Sequence, residues 1–336
     1  MNLINWLDQT TWAITPGKLE TIVDVLRSHA EGRLSGTNEL RAALIEEQRE
    51  AEATYTDGTD AAGNRVRFNL VGDVAMISCM GTLMHRAGGL MAMSGATSYQ
   101  RIRQQCEAAH QNGACRRILL EIDSPGGEAR GLDDLGAFLR DLRGSIDIQA
   151  HISGLGCSAA YHLASAANHI TMSADALAGS IGVIMSHVDR SARNAADGFV
   201  VTYITAGEEK ADGNRDEPLS ERAAGTYQGI VDDLYGRFVA SVAAGRRVSE
   251  ATVLENMADA RVFTSDAALE AGLVDAIGPV TDVTGQAALP MRSQMGPAAA
   301  FDVNRLQLSL AASLVRAGIP ADDAITASAA AVARLS

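Results

Sequence analysis

The chain has 336 residues, 47% of them apolar and 21% charged. That is the balance of a folded protein with material for a buried core, not of a disordered one. A formal charge of −13 argues against a surface built to hold nucleic acid, and no such partner is expected. The basic residues divide unevenly: of 28 Lys and Arg, only Lys18 and Lys210 are lysines. Chemistry that needs an amine side chain has these two candidates.

The opening MNLINWLDQTTWAITPGK has no basic start followed by an apolar run, so it does not read as a signal peptide. No stretch of about 18 apolar residues marks a transmembrane helix. A soluble protein of a reducing compartment is expected, with no membrane partner. Cys79, Cys106, Cys115 and Cys157 lack CxxC spacing and nearby His patterns; they read as reduced small side chains, and neither metal nor cofactor is expected.

Residues 1–60 read as a helical arm. Thr15-Pro16 precedes Leu19, Ile22, Val23 and Leu26 at helical spacing, and proline is tolerated in a first turn. The turn-rich TDGTDAAGN at 56–64 marks the first domain boundary. From about 66 the texture changes to short apolar runs, read as strands at 74–79, 117–122, 148–152, 181–188 and 199–204. Helical patterns lie at 98–112, 128–143, 157–167 and 265–271. A long helix over 219–244 carries Ile230, Leu234, Phe238 and Val242 along one stripe. This alternation predicts an α/β domain over 66–284, a largely parallel sheet covered by helices. Residues 285–336 read as a linker followed by two short Ala-rich helices, too small to fold alone.

Three segments place glycine and small residues at strand ends. In Asp123-Ser124-Pro125-Gly126-Gly127 an apolar strand runs into what reads as a tight turn, whose bare backbone N–H groups can face a developing oxyanion. In Gly154-Leu155-Gly156-Cys157-Ser158-Ala159, Ser158 stands where a strand ends and an Ala-rich helix begins. There it is either a helix cap or a hydroxyl aimed into a crevice. The third segment, Ala178 to Ile184, contains Ser180 and leads to a polar loop, 206–214, that holds Lys210. A loop lysine is ordinarily a solvated charge. Lysine, unlike arginine, can nevertheless act as a base near neutral pH when burial disfavours its ammonium form. His187 is the rival base, but it lies inside the apolar run 183–188, where a backbone hydrogen bond accounts for it better. His151, His162 and His169 show no partner pattern and read as structural or surface residues.

DSPGG, Gly-x-x-x-Ser-Ala-Ala-Tyr, GSIGVIMSHVDRS, Gly-x-x-Lys-x-Asp-Gly-Asn, PLS and ARVFTSDAALEAGLVD, in that order, resemble the signal peptide peptidase A family, in particular its phage branch of head maturation proteases. The resemblance covers roughly residues 66–280 and implies a ClpP/crotonase-like fold. It also implies Ser158 as nucleophile, Lys210 as general base 52 positions on, and Ser180 as the hydroxyl that holds the lysine. Gly127 and Ala159 are implied as oxyanion-hole donors, with Gly126 and the segment around Gly154 gripping substrate backbone by strand addition. A Ser–Lys endopeptidase of this kind is expected to assemble as a homo-oligomer and to cut phage scaffold, portal or major capsid protein within the prohead, and the 285–302 region is a candidate for self-cleavage. The alternatives are a cytosolic bacterial peptidase of the same family, a crotonase-like enzyme acting on an acyl-coenzyme A, and a catalytically silent assembly protein.

Overall fold

Alternating apolar runs and helical patterns do pair into a mostly parallel sheet with helices packed on it, as the α/β reading requires. The computed structural model describes residues 12–14, 55–86 and 96–281. Strands β1 (Trp12–Ile14), β2 (Tyr55–Thr59), β3 (Arg65–Val71), β4 (Val74–Met84) and β5 (Thr97–Ser98) precede helix α1 (Tyr99–Gln111). Then come β6 (Arg117–Glu128), α2 (Leu132–Leu142), β7 (Asp147–Cys157), α3 (Ala159–Ser165), β8 (His169–Met172) and β9 (Leu177–Gly179). The remaining elements are α4 (Ser191–Ala196), α5 (Glu221–Arg246), α6 (Glu250–Asn256), β10 (Val262–Thr264), α7 (Ser265–Glu270) and β11 (Ala276–Ile277).

The sheet follows the order β10-β9-β7-β6-β4-β3-β2. β4, β6, β7 and β8 are parallel neighbours, and β3 folds back antiparallel on β4. Ile77, Ile118, Leu120, Ile122, Ile148 and Ile152 are fully buried in the core, with α1 packed on β3 and β4 and α3 on β6 and β7. Burial of each such side chain is worth about 1.5–3 kcal/mol, so this central layer holds the domain. Leu119 and Glu121, on the reverse face of β6, are buried too, which is why the strand reads as a continuous apolar run and not as an alternation.

Glu121 is the exception in that run. Its Oε2 has no hydrogen-bond partner, and burial, with a smaller push from the Asp123 carboxylate, raises its carboxyl from 4.5 to about 7. The folded state therefore holds this proton more tightly than the unfolded chain. The stability that goes with the neutral acid is complete below pH 4.5 and is lost as pH rises to about 7. Glu121→Gln keeps the neutral shape, so the variant should be more stable than the parent by about 1–3 kcal/mol at pH 8 and by little below pH 4.5. Urea unfolding at the two pH values measures the difference.

Helix α3 is tied down at its far end. Arg143 Nη1 donates to the carbonyls of Ala166, Ala167 and Gly245 at 3.1, 2.8 and 3.2 Å. Tyr161 Oη donates to Leu273 O at 2.9 Å. A Cβ at Gly245 would strike the backbone of Ser165, so α5 crosses α3 at close range only because that position is glycine.

The structure corrects several expectations. Residues 12–14 and 55–59 are strands, not parts of a helical arm, and the turn within 56–64 joins β2 to β3. Neither 181–188 nor 199–204 forms a strand; Phe199, Val200 and Ile204 are 66%, 93% and 97% exposed. The stripe on α5 is buried at Phe238 and Val242 but exposed at Ile230, so only the second half of that helix packs on the core. The tail at 285–336 and most of the N-terminal arm lie outside the described residues. Among the described residues, no helix is long and apolar enough to cross a membrane.

Candidate active site

Residues 123–127 prove to be a bulged continuation of β6 and not a turn. β6 keeps register with β7 through Ile122 opposite Ile152, shifts, and resumes once more with Ser124 opposite Gly156. On its other edge the register with β4 shifts as well, ending with Thr82 opposite Gly126 and Leu83 opposite Gly127. Ser124 Oγ accepts the Gly126 N–H at 3.1 Å, and Gly126 takes φ 111°, a conformation open to glycine. A Cβ at Gly127 would collide with the backbone carbonyl of Leu83, so the two strands approach this closely only with glycine there.

β7 meanwhile changes partners. It pairs with β8 as far as Ile152 opposite Met172, then with β9 from Leu155 opposite Leu177 to Cys157 opposite Gly179. Asp123 Oδ1 accepts the Leu155 N–H at 2.9 Å, and a Cβ at Gly154 would lie 2.6 Å from that same oxygen. Packing against Asp123 thus accounts for glycine at 154 without a substrate contact.

The change of partners delivers Ser158 to the head of α3. Its N–H donates to Gly179 O at 2.7 Å, and its carbonyl accepts the first helical hydrogen bond, from His162 N–H. Its backbone sits at φ 57°, ψ −121°, a sparsely populated region for a side-chain-bearing residue that costs about 1–3 kcal/mol. The hydroxyl does not repay this by capping: it makes no cap hydrogen bond, and Oγ is buried without any partner. The cap reading of Ser158 is therefore ruled out. The N–H of Ala159, the first helical residue, has no intrahelical acceptor, and the helix end it belongs to carries partial positive charge. Burial pushes the neighbouring Cys157 thiol up to about 11, so it stays protonated and the hydroxyl is the nucleophile to consider.

Ser180 follows directly on Gly179, whose carbonyl holds the Ser158 N–H. It is buried, at φ 53°, and its own N–H donates to Arg261 O at 2.6 Å. The backbone thus brings Ser158 and Ser180 to adjacent strand ends. Lys210 is elsewhere in character. It lies exposed in a turn closed by its N–H to Gly207 O at 3.2 Å, in a loop pinned to the start of α5 by Arg222, which pairs with Asp212 and Glu208, each at 2.8 Å. Since Ser158 Oγ has no partner, the single chain does not join serine and lysine. His187 Nε2 donates to Asn214 O at 2.8 Å, the backbone hydrogen bond expected of it. The buried His162 is spoken for by Asp133 at 3.0 Å, and burial lowers its pKa; His151 bonds Thr171 Oγ1 at 2.9 Å.

Residues 140–292 match the model of Peptidase family S49. The likeness to that family is carried by this stretch. The S49 stretch takes in Ser158, Ser180 and Lys210 and begins after Gly127. The chain is 34% identical over 244 residues to the head-tail preconnector protein GP5 of Enterobacteria phage P21, an alignment covering 71% of this chain and 48% of that protein. It is 32% identical over 235 residues to the capsid assembly protease C of Escherichia phage lambda, covering 69% and 53%. A putative protease of Synechocystis is 34% identical over 173 residues, covering 51% and 61%. The chain spans about half the length of the two phage relatives.

One feature of the site was not foreseen. β1 pairs antiparallel with the end of β6, Trp12 opposite Glu128, Ala13 opposite Gly127 and Ile14 opposite Gly126. The signal was present in the sequence: Thr15 precedes a proline, and a residue in that position is biased towards extended backbone.

Proposed function

We propose that the protein is a serine endopeptidase that cuts scaffold, portal or coat protein during phage head maturation, with Ser158 as nucleophile and Lys210 as general base. The observation that carries this reading is Ser158: a buried hydroxyl with no hydrogen-bond partner, held in strained backbone at a helix head. A structural serine in that place would satisfy its hydroxyl; a nucleophile awaiting its base would not. The names of the two phage relatives, a head-tail preconnector and a capsid assembly protease, support the choice of substrate class.

The chemistry follows from the geometry. Ser158 Oγ attacks the scissile carbonyl while a base takes its proton, and the same base returns that proton to the leaving amine. The N–H groups of Gly127 and Ala159 receive the oxyanion. Ser180, beside the nucleophile, holds the amine of the lysine.

Within one chain Lys210 lies on the surface, and an amine works as a base only once it is withdrawn from water. The neighbouring Phe199, Val200 and Ile204 are exposed as well, and an apolar patch of this kind favours cover by another chain. Lys210 is accordingly assigned to the Ser158 of an adjoining copy in a homo-oligomer. Mixing Ser158→Ala with Lys210→Ala subunits, each inactive alone, should restore about a quarter to a half of parental activity, since mixed neighbours pair an intact serine with an intact lysine. No recovery after co-refolding would place the dyad within one subunit. Labelling of Ser158 by a fluorophosphonate tests the nucleophile independently of the base.

A further inference from the structure

We propose that residues 12–14 of the chain occupy the substrate slot of this site as an intrasteric strand that an incoming polypeptide must displace. The inference rests on the protease reading and adds a regulation to it. At residues 126–128, β6 has two edges. β4 takes one of them, with Thr82 opposite Gly126 and Leu83 opposite Gly127. The other is the edge along which β7 runs as far as Gly156 opposite Ser124. There β7 turns aside to pair with β9, and it delivers Ser158 one residue after its end. The edge so vacated is the continuation of the one that β7 leaves on its way to Ser158.

β1 lies on that vacated edge. It runs antiparallel to β6, with Ala13 opposite Gly127, and Gly127 is the residue assigned to the oxyanion hole. An extended peptide that offers its carbonyl to the Gly127 N–H has to add to the same edge. Backbone groups on one strand edge pair with a single neighbour, so the chain's own strand and a substrate exclude each other. The occupant places a small residue, Ala13, opposite Gly127, and a displacing polypeptide with a small residue at that register point fits best.

The test uses the full chain and its Ala13→Pro variant, which loses the N–H at the centre of the three-residue pairing. The variant should hydrolyse an added scaffold-derived peptide with a KM lowered about tenfold, the worth of one or two net hydrogen bonds, at unchanged kcat. A synthetic peptide of residues 9–18, QTTWAITPGK, should inhibit the variant competitively and the parent at least tenfold more weakly. Hydrogen exchange gives a readout that does not need activity: the Gly127 amide should be protected in the unmodified chain without any added ligand, exposed in Ala13→Pro, and protected again by the peptide. Rapid exchange of that amide in the parent overturns the proposal. So does an unchanged KM in a folded variant, and so does recovery of a chain cut between Ala13 and Thr15, which would make the strand a first substrate and not a guard. If neither form hydrolyses peptide, the protease reading is what fails, and the exchange measurement still decides whether the strand fills the slot.

Discussion

Ser158→Ala should abolish peptide hydrolysis, turnover falling by at least about 10⁴-fold, while leaving the fold intact. The second half of that statement follows from the local geometry. A capping serine contributes about 0.5–2 kcal/mol to its helix, but Ser158 Oγ caps nothing. Its removal forfeits no hydrogen bond and relieves one buried polar atom of its unmet demand. Thermal unfolding of Ser158→Ala should therefore lie within a few degrees of the parent. Ser158→Gly should even be more stable, by about 1 kcal/mol, because glycine adopts positive φ without steric penalty. Inactivity together with undiminished stability marks a residue retained for chemistry. Substantial residual hydrolysis by the alanine variant would remove Ser158 from the mechanism.

Gly127→Ala should lose both activity and stability, for the opposite reason. The new Cβ would collide with the Leu83 carbonyl carbon and oxygen. These are backbone atoms in a paired strand, so no side-chain rotation can yield. β4 and β6 must part just where the proposed oxyanion donor has to be placed. A cost of about 2–4 kcal/mol in urea unfolding is expected, with turnover slowed by about 100-fold or more. Gly113→Ala is the control: nothing lies within 4 Å of the place its methyl group would take, and a surface change of that kind stays within about 0.5 kcal/mol. Equal effects at the two glycines would mean that the clash at 127 is absorbed elsewhere.

The succession β4, α1, β6, α2, β7, α3 was legible because its elements carry long apolar or amphipathic patterns, whereas β5 and β8, two and four residues long, were not read. Runs such as Ile118–Leu120–Ile122 are covered by α3 and α1, and pattern and partner agree. The reading failed where apolar residues have no strand partner among the described residues. Phe199, Val200 and Ile204 look like a strand by composition, yet a strand needs a neighbour to hydrogen-bond with as well as greasy side chains, and none is at hand. β1 failed for a related reason: its partner lies more than a hundred residues away, and three residues are too few for a periodic signal. At the candidate site, small residues at strand ends drew attention to the segments that hold Gly127, Ser158 and Ser180, and the family resemblance supplied the role proposed for each. Spacing carries no information about which copy of a loop meets which helix, so it left the setting of Lys210 open.

Arg143 and Tyr161 have a consequence for how such a centre operates. With carbonyls at the foot of α3 gripped by one guanidinium, and Gly179 gripping its head, Ser158 is held still. On the proposed pairing across copies, readiness depends on encounters: a dilute chain should stay latent, and the concentration of copies alone should switch cutting on.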